Sequence, residues 1–378
     1  MNERPGQSPW VLGLTLSVIG LLVFVVALYP LAQPRARAAP ERSQASTVAT
    51  GASASNSSAR VAASSAPSAP AATAAQPAVA PYAAPPHQPF DAKAPPYNPA
   101  DVVDLTVVMD DRQIIEVAPD TYYEGWTFNG SIPGPVIRVK QGATVNVTLI
   151  NEGRLLHSLD FHSARTPISN YRNVSPGEKF EWSFVATVPG VYMYHCGTAP
   201  ALQHIGNGMY GVMIVDPDPP LPAADREYVL VQSELYYGEK LPNGVVLGDF
   251  TKMQKSDSDA VVFNGHQSQY RDHPLVAEPG ELVRLYVVDA GPTMMSSFHV
   301  VGEIFDRVVV NGNPAPENID RGVQTTLVPV GGGYLFELRP EQAGEYLFVS
   351  HAFAHANKGA VGVLRVGAVE SSGGNVDH

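Results

Sequence analysis

The sequence predicts an all-β protein made of two tandem antiparallel β-sandwiches, and three observations predict it. From Asp101 onward the chain is a succession of short β-branched runs punctuated by Gly, Pro and Asn, which is how strands and turns read. No long stretch carries the apolar period of a helix. The third observation is a weak internal repeat: Phe128-Asn129-Gly130 is echoed by Phe263-Asn264-Gly265, Pro189-Gly190-Val191-Tyr192 by Ala343-Gly344-Glu345-Tyr346, and Gly211–Val215 by Gly362–Val366. Two copies of one sandwich unit follow, with a seam near Pro217–Pro222.

Taken in order, residues 1–37 read as an N-terminal helix that is either a membrane anchor or an export signal. Trp10 to Leu31 is an uncharged apolar run of about 22 residues, which at 1.5 Å per residue spans roughly 33 Å, about one hydrocarbon core. A cleaved signal has a shorter apolar stretch, so the run favours an uncleaved anchor. Against this stand the cleavage-like Ala36-Arg37-Ala38 and the positive flank Arg35, Arg37 and Arg42. Either way the chain is expected to be exported, to the periplasm or the outer face of the cytoplasmic membrane.

Residues 38–100 are Ala, Pro and Ser with few large apolar side chains. Such a segment buries too little surface to offset its conformational entropy and is expected to be a disordered tether. The first sandwich is expected over 101–218, with strands at Val136–Val139, Thr144–Leu149, Phe180–Phe184 and Val212–Val215 and a turn at Ser175-Pro176-Gly177-Glu178. The second is expected over 219–368, and 369–378 as a flexible tail. A net charge of −12 argues against nucleic acid or an anionic membrane surface as partner.

Cys196 is the only cysteine in the chain. A lone thiol in an exported protein has no internal disulfide partner, which leaves an inert buried residue or a metal ligand. His204 follows eight residues on, Met209 thirteen on, and His157 lies upstream. One thiolate, two imidazoles and a thioether form the ligand set of a blue-copper electron-transfer centre.

Thr127-Phe128-Asn129-Gly130-Ser131-Ile132-Pro133-Gly134-Pro135 resembles the opening signature of multicopper-oxidase cupredoxin domains. His157-Ser158-Leu159-Asp160-Phe161-His162, then His195-Cys196, His204 and Met209, then Ser350-His351 closely resemble the copper-containing nitrite reductases. The resemblance spans about residues 101–368 and implies two cupredoxin-like Greek-key sandwiches.

Strand parity divides the ligands into two sets. Successive side chains of a strand face opposite ways, so His157 and His162, five apart, diverge if they share one regular strand, and so do the neighbours His195 and Cys196. His157, Cys196, His204 and Met209 are thereby assigned to an inner, type 1 copper, and His162 with His195 to an outer, type 2 copper, two coppers per chain. Two imidazoles leave a catalytic site incomplete, and His351 is the natural third ligand. The resemblance implies that this histidine comes from a neighbouring subunit, and hence a homotrimer. A His-only set suits copper or zinc, and the adjoining thiolate site argues for copper. Asp160 lies two residues before His162, on the same face, and is the candidate general acid; the resemblance implies that it delivers protons to bound nitrite. His87, His266 and His273 read as surface residues, His355 as a support for the site or a plain loop residue, and the Met294-Met295 pair as core or interface packing.

Two departures from the family pattern bear on the substrate. The second proton-relay histidine, five residues after the position matched by His299, is replaced here by Ile304, leaving His299, Glu303, Asp306 and His355 as possible substitutes; losing a relay partner costs roughly 10²–10⁴ in rate. The Cys196–His204 spacing is one residue shorter than in well-known members. The leading expectation is a nitrite reductase that takes electrons from a cupredoxin or cytochrome c and forms nitric oxide. The alternatives are a non-catalytic copper redox protein of the same fold, favoured by Ile304, and a two-domain multicopper oxidase. The latter needs a trinuclear cluster built from His-x-His pairs, and the chain has none.

Overall fold

The computed structural model describes residues 80–368 apart from 84 and 86. The anchor or signal over 1–37, most of the tether and the tail over 369–378 lie outside the described residues. Among the described residues no helix is long and apolar enough to cross a membrane.

The first sandwich contains β1 (Val102–Ala118), β2 (Thr121–Phe128), β3 (Ile137–Lys140), β4 (Thr144–Asn151), β5 (Asp160–Phe161), β6 (Lys179–Val185), β7 (Gly190–His195) and β8 (Tyr210–Asp216). One sheet has the order β2-β1-β4-β6 and the other β3-β8-β7-β5. The strands expected from the sequence fall on β3, β4, β6 and β8, with β6 aromatic-rich rather than β-branched, and the Ser175–Glu178 turn closes as expected, with the Glu178 N–H donating to the Ser175 carbonyl at 3.0 Å. In β4 the side chains alternate between a buried and a more exposed face, as a half-buried strand requires.

The sheets are mixed, which corrects the purely antiparallel expectation. β1 runs parallel to β4 and β3 parallel to β8, because the chain leaves the β1/β2 sheet for β3 and returns at β4 beside β1. The second sandwich is built the same way, with Arg226–Leu235 parallel to Val283–Gly291 and Leu275–Ala277 parallel to Val361–Val366. The seam is also interleaved: the second-half strands Tyr237–Lys240 and Val246–Gly248 extend the first sandwich's sheet beyond β2.

β8 is buried along its whole length. Met213 and Val215 enter the first sandwich's core, while Val212 and Ile214 join Val229, Val231, Tyr286, Val288 and Leu335 in a core between the sandwiches. A strand covered on both faces reads as a continuous apolar run. The two Phe-Asn-Gly repeats are turns. Asn129 and Gly130, like Asn264 and Gly265, have left-handed φ, the conformation that favours Asn-Gly. The Asn129 amide also bonds Val108 N–H and the Thr106 carbonyl, and Asn264 does the same with Val231 and Val229.

The tether does not run to residue 100. Ala92 is buried, Lys93 bridges to Tyr228, and the Ala94 N–H donates to the Glu227 carbonyl at 3.0 Å. Composition misses this because the segment docks through hydrogen bonds of its backbone, such as the Phe90 N–H donating to Gln269 Oε1 at 2.9 Å, not through apolar bulk. Arg138 of β3 ties segment and sandwiches together. It pairs with Asp216 at 2.8 Å and Glu227 at 2.7 Å, and donates to the Pro95 carbonyl at 2.7 Å.

His266 is a second correction. It is buried rather than on the surface, its ring stacks 4.1 Å from that of half-buried His87, and neither of its ring nitrogens has a hydrogen-bond partner. His273 is exposed, as expected. Of the methionine pair, Met294 packs against the second core and Met295 is exposed.

Candidate metal centres

His157 follows β4 in a segment held by a two-way backbone bridge to Val174. No single regular strand joins it to His162; only Asp160–Phe161 is strand. The two histidines nonetheless diverge, His157 fully buried and His162 exposed. Cys196 comes just after β7. From there the chain makes one short helix, Ala201–Gly206, which carries His204. It then folds back, so that Met209 N–H donates to the His204 carbonyl and Cys196 N–H to the Met209 carbonyl, each at 3.1 Å.

This loop brings three ligand atoms together. His204 Nδ1 lies 3.2 Å from His157 Nδ1 and 3.2 Å from Cys196 Sγ, and the three donors are mutually within 4.8 Å. Met209 is fully buried in the same core as Cys196. Trp126 stands edge-on to His204, ring centroids 4.9 Å apart. Burial, reinforced by neighbouring His157, pushes the His204 imidazole down to about 4, and burial pushes the Cys196 thiol up. The imidazoles are therefore neutral and ready to ligate, and a cation would have to displace the thiol proton. The Ser158 N–H, 3.4 Å from Cys196 Sγ, is placed to support the resulting thiolate.

Sequence reasoning missed the residue that braces this set. Asp111 is fully buried and its Oδ2 lies 3.3 Å from His157 Nε2. Burial alone would raise its carboxyl, but Arg154, the N–H groups of Arg154 and Leu155, and His157 together hold it below the ordinary carboxylate range. The available signal was the pair Asp110-Asp111 inside a β-branched run, since Asp is depleted from strands.

The second set lies on the other side of β7. His162 Nε2 and His195 Nε2 face each other at 3.0 Å. Each ring's Nδ1 already has a carbonyl partner at 3.0 Å, Gly331 for His162 and Cys196 for His195. A carbonyl only accepts, so both Nδ1 atoms carry the proton and both Nε2 lone pairs point at the same place. Asp160 Oδ2 is 3.8 Å from His195 Nε2. Burial and then the charge of Asp160 push the Tyr171 hydroxyl up to about 12.

His351 is brought to neither set within one chain. It is exposed at the end of the strand Gly344–Ser350, its N–H donating to the Ser297 carbonyl at 2.7 Å. His299 is its edge-on neighbour, and Ile304, Leu327 and Phe353 are exposed in the same domain. His355 is half-buried, with Nδ1 3.4 Å from Ser350 Oγ.

Multicopper oxidase family models match residues 112–220 and 240–370. The copper-containing nitrite reductase of Neisseria gonorrhoeae is 40% identical over 278 residues, covering 72% of this chain and 68% of its own. That of Alcaligenes faecalis is 28% identical over 278 residues, 68% of this chain and 73% of its own. Among solved structures, a copper nitrite reductase from Nitrosomonas europaea superposes with a TM-score of 0.65 at 40% identity, covering 70% of this chain and 94% of the other. A copper-containing nitrite reductase from Thermus scotoductus SA-01 gives 0.64 at 34% identity, covering 70% and 62%.

Proposed function

The chain belongs to the copper-containing nitrite reductases, oxidoreductases on a multicopper-oxidase scaffold, and from that premise we propose that it reduces nitrite to nitric oxide at a copper shared between subunits. The observation that carries this reading is the adjacency of His195 and Cys196, which face different donor sets across one peptide unit.

The donor chemistry of both sets fits copper. His157, Cys196, His204 and Met209 would hold a type 1 ion in a buried, sulfur-containing set suited to electron transfer, and His162 and His195 with His351 of a neighbouring copy would hold a type 2 ion. When bound, copper supplies the one-electron redox chemistry and the Lewis acidity that holds nitrite. The reaction consumes one electron and two protons, nitrite leaving as nitric oxide and water. The peptide linking Cys196 to His195 gives the electron a covalent route between the sets. Asp160 stands beside the imidazole pair, where a carboxylate can hold a proton for a nitrite oxygen.

The exposed position of His351, with apolar Phe353 beside it, supports burial against another copy in a homotrimer. His299 is the substitute for the histidine missing at Ile304, because its ring lies next to His351. This weakens the reading of a non-catalytic redox protein. A cupredoxin or cytochrome c is the expected donor, and the Trp10–Leu31 run supports an exported, membrane-anchored enzyme.

The test is nitric oxide formation by copper-loaded protein given nitrite and an artificial electron donor, alongside copper analysis. Two coppers per chain and nitrite-dependent reoxidation of the type 1 band are expected. Four coppers per chain, or no reoxidation by nitrite, would overturn the proposal.

A further inference from the structure

β1 carries one residue too many for its partner. Asp110 pairs with Thr127 and Gln113 with Gly125, so three steps on β1 match two on β2. Such a bulge re-aims side chains, and here it buries Asp110 and Asp111 in succession. Asp111 points into the loop that leads to His157. Its Oδ2 accepts from the N–H groups of Arg154 and Leu155 at 2.8 Å each, and its Oδ1 accepts from Arg154 Nε at 3.0 Å.

The remaining contact is to His157. Its Nδ1 faces His204 and the thiol, which leaves only Nε2 for a hydrogen bond, and Asp111 Oδ2 is the group there. Gly153 keeps the contact open: a methyl group at this position would lie 2.9 Å from Asp111 Oδ2 and 3.1 Å from His157 Nε2. The bulge, the two N–H donors and the bare glycine converge on one juxtaposition, a buried carboxylate on the outer nitrogen of a metal-ligating imidazole.

We propose that Asp111 is a positioning residue that fixes the tautomer of His157 and tunes the reduction potential of the type 1 copper, a role resting on the type 1 reading above. A carboxylate accepting from the far nitrogen makes the ligating nitrogen more basic and leaves net negative charge near the ion. Both favour Cu(II) over Cu(I) and so lower the potential.

Two measurements test this, and their failures are distinguishable from failure of the copper reading. Nitrogen-15 NMR of the copper-free protein reports the His157 tautomer without any metal; the proton is expected on Nε2, and a proton on Nδ1 would overturn the proposal with no variant needed. In copper-loaded protein, Asp111→Asn keeps the side chain's shape and removes its charge. Its sulfur-to-copper band should persist while the Cu(II)/Cu(I) equilibrium shifts about tenfold toward Cu(I), which is about 59 mV for a one-electron couple. An unchanged potential with the band intact would overturn the tuning role. Gly153→Ala, which crowds the contact and leaves the carboxylate in place, should also move the potential, and an unmoved potential there would count against it. If wild-type protein shows no such band, the type 1 reading falls and the potential claim with it, while the tautomer still decides the contact.

Discussion

The imidazole of His299 lies edge-on to that of His351, ring centroids 5.6 Å apart at an interplanar angle of 62°. His299 Nδ1 is committed to the Gln324 carbonyl at 2.6 Å, so its Nε2 is the nitrogen left for a water or a substrate oxygen. Ile304, five residues after His299, is 62% exposed and offers no polar atom.

His299→Ala is therefore expected to lower nitrite turnover by about 10² or more while the type 1 absorption stays intact, and Ile304→His to give no comparable gain. Steady-state nitric oxide production with a visible spectrum of each variant checks this. Undiminished turnover in His299→Ala would assign the relay elsewhere.

The two donor sets should separate cleanly under mutation. Cys196→Ser removes the chain's one thiol, whose Sγ lies 3.2 Å from His204 Nδ1, so the visible charge-transfer band should vanish. His351→Ala should leave that band and delete the type 2 signal in electron paramagnetic resonance. Loss of both signals together in His351→Ala would contradict the division into two sets.

His266 makes the copper-free protein acid-sensitive. Burial, then neighbouring His87, push its imidazole down to about 4 from an ordinary 6.5. Between these values the unfolded chain binds a proton that the folded chain refuses, so this contribution is complete above pH 6.5 and is lost as pH falls toward 4. The loss is at most about 3 kcal/mol. His266→Phe should flatten the fall of stability between pH 6.5 and 4 and leave the midpoint at pH 7.5 little changed, measured by urea unfolding. An identical pH slope in the variant would refute the assignment.

Arg138 is a buried cation with two carboxylates, a carbonyl and the Tyr286 hydroxyl as partners. Removing it leaves Asp216 without its cation in a buried site, which typically costs about 3–5 kcal/mol. Arg138→Ala should lower the denaturant midpoint accordingly, and a change below about 1 kcal/mol would mean that the network is solvated in solution.

The sheets and the ligand sets were legible in the sequence for different reasons. β4 and β8 announce themselves through β-branched residues and β6 through aromatics, which fill pleated surfaces, and the candidate ligands because one thiol, imidazoles and a thioether together make a copper-type donor set. Strand parity assumed one regular strand from His157 to His162, whereas only Asp160–Phe161 is strand, and the buried His157 parts from the exposed His162 through the irregular backbone before it. Asp111 stayed hidden because a bulge, invisible to periodicity, decides which way it points. The docked segment before residue 100 escaped notice because backbone hydrogen bonds leave no compositional trace, and His266 because the partner it stacks on is 179 residues away in the chain.

The carbonyl that orients His162 belongs to Gly331, in the other half of the chain. The halves are thus not exchangeable cassettes. A chimaera joining residues up to the seam with a foreign second half would inherit His162 and His195, yet nothing would stop one ring from spinning to present the wrong nitrogen. Any engineered swap has to import the Gly331–Gly332 turn along with the strands.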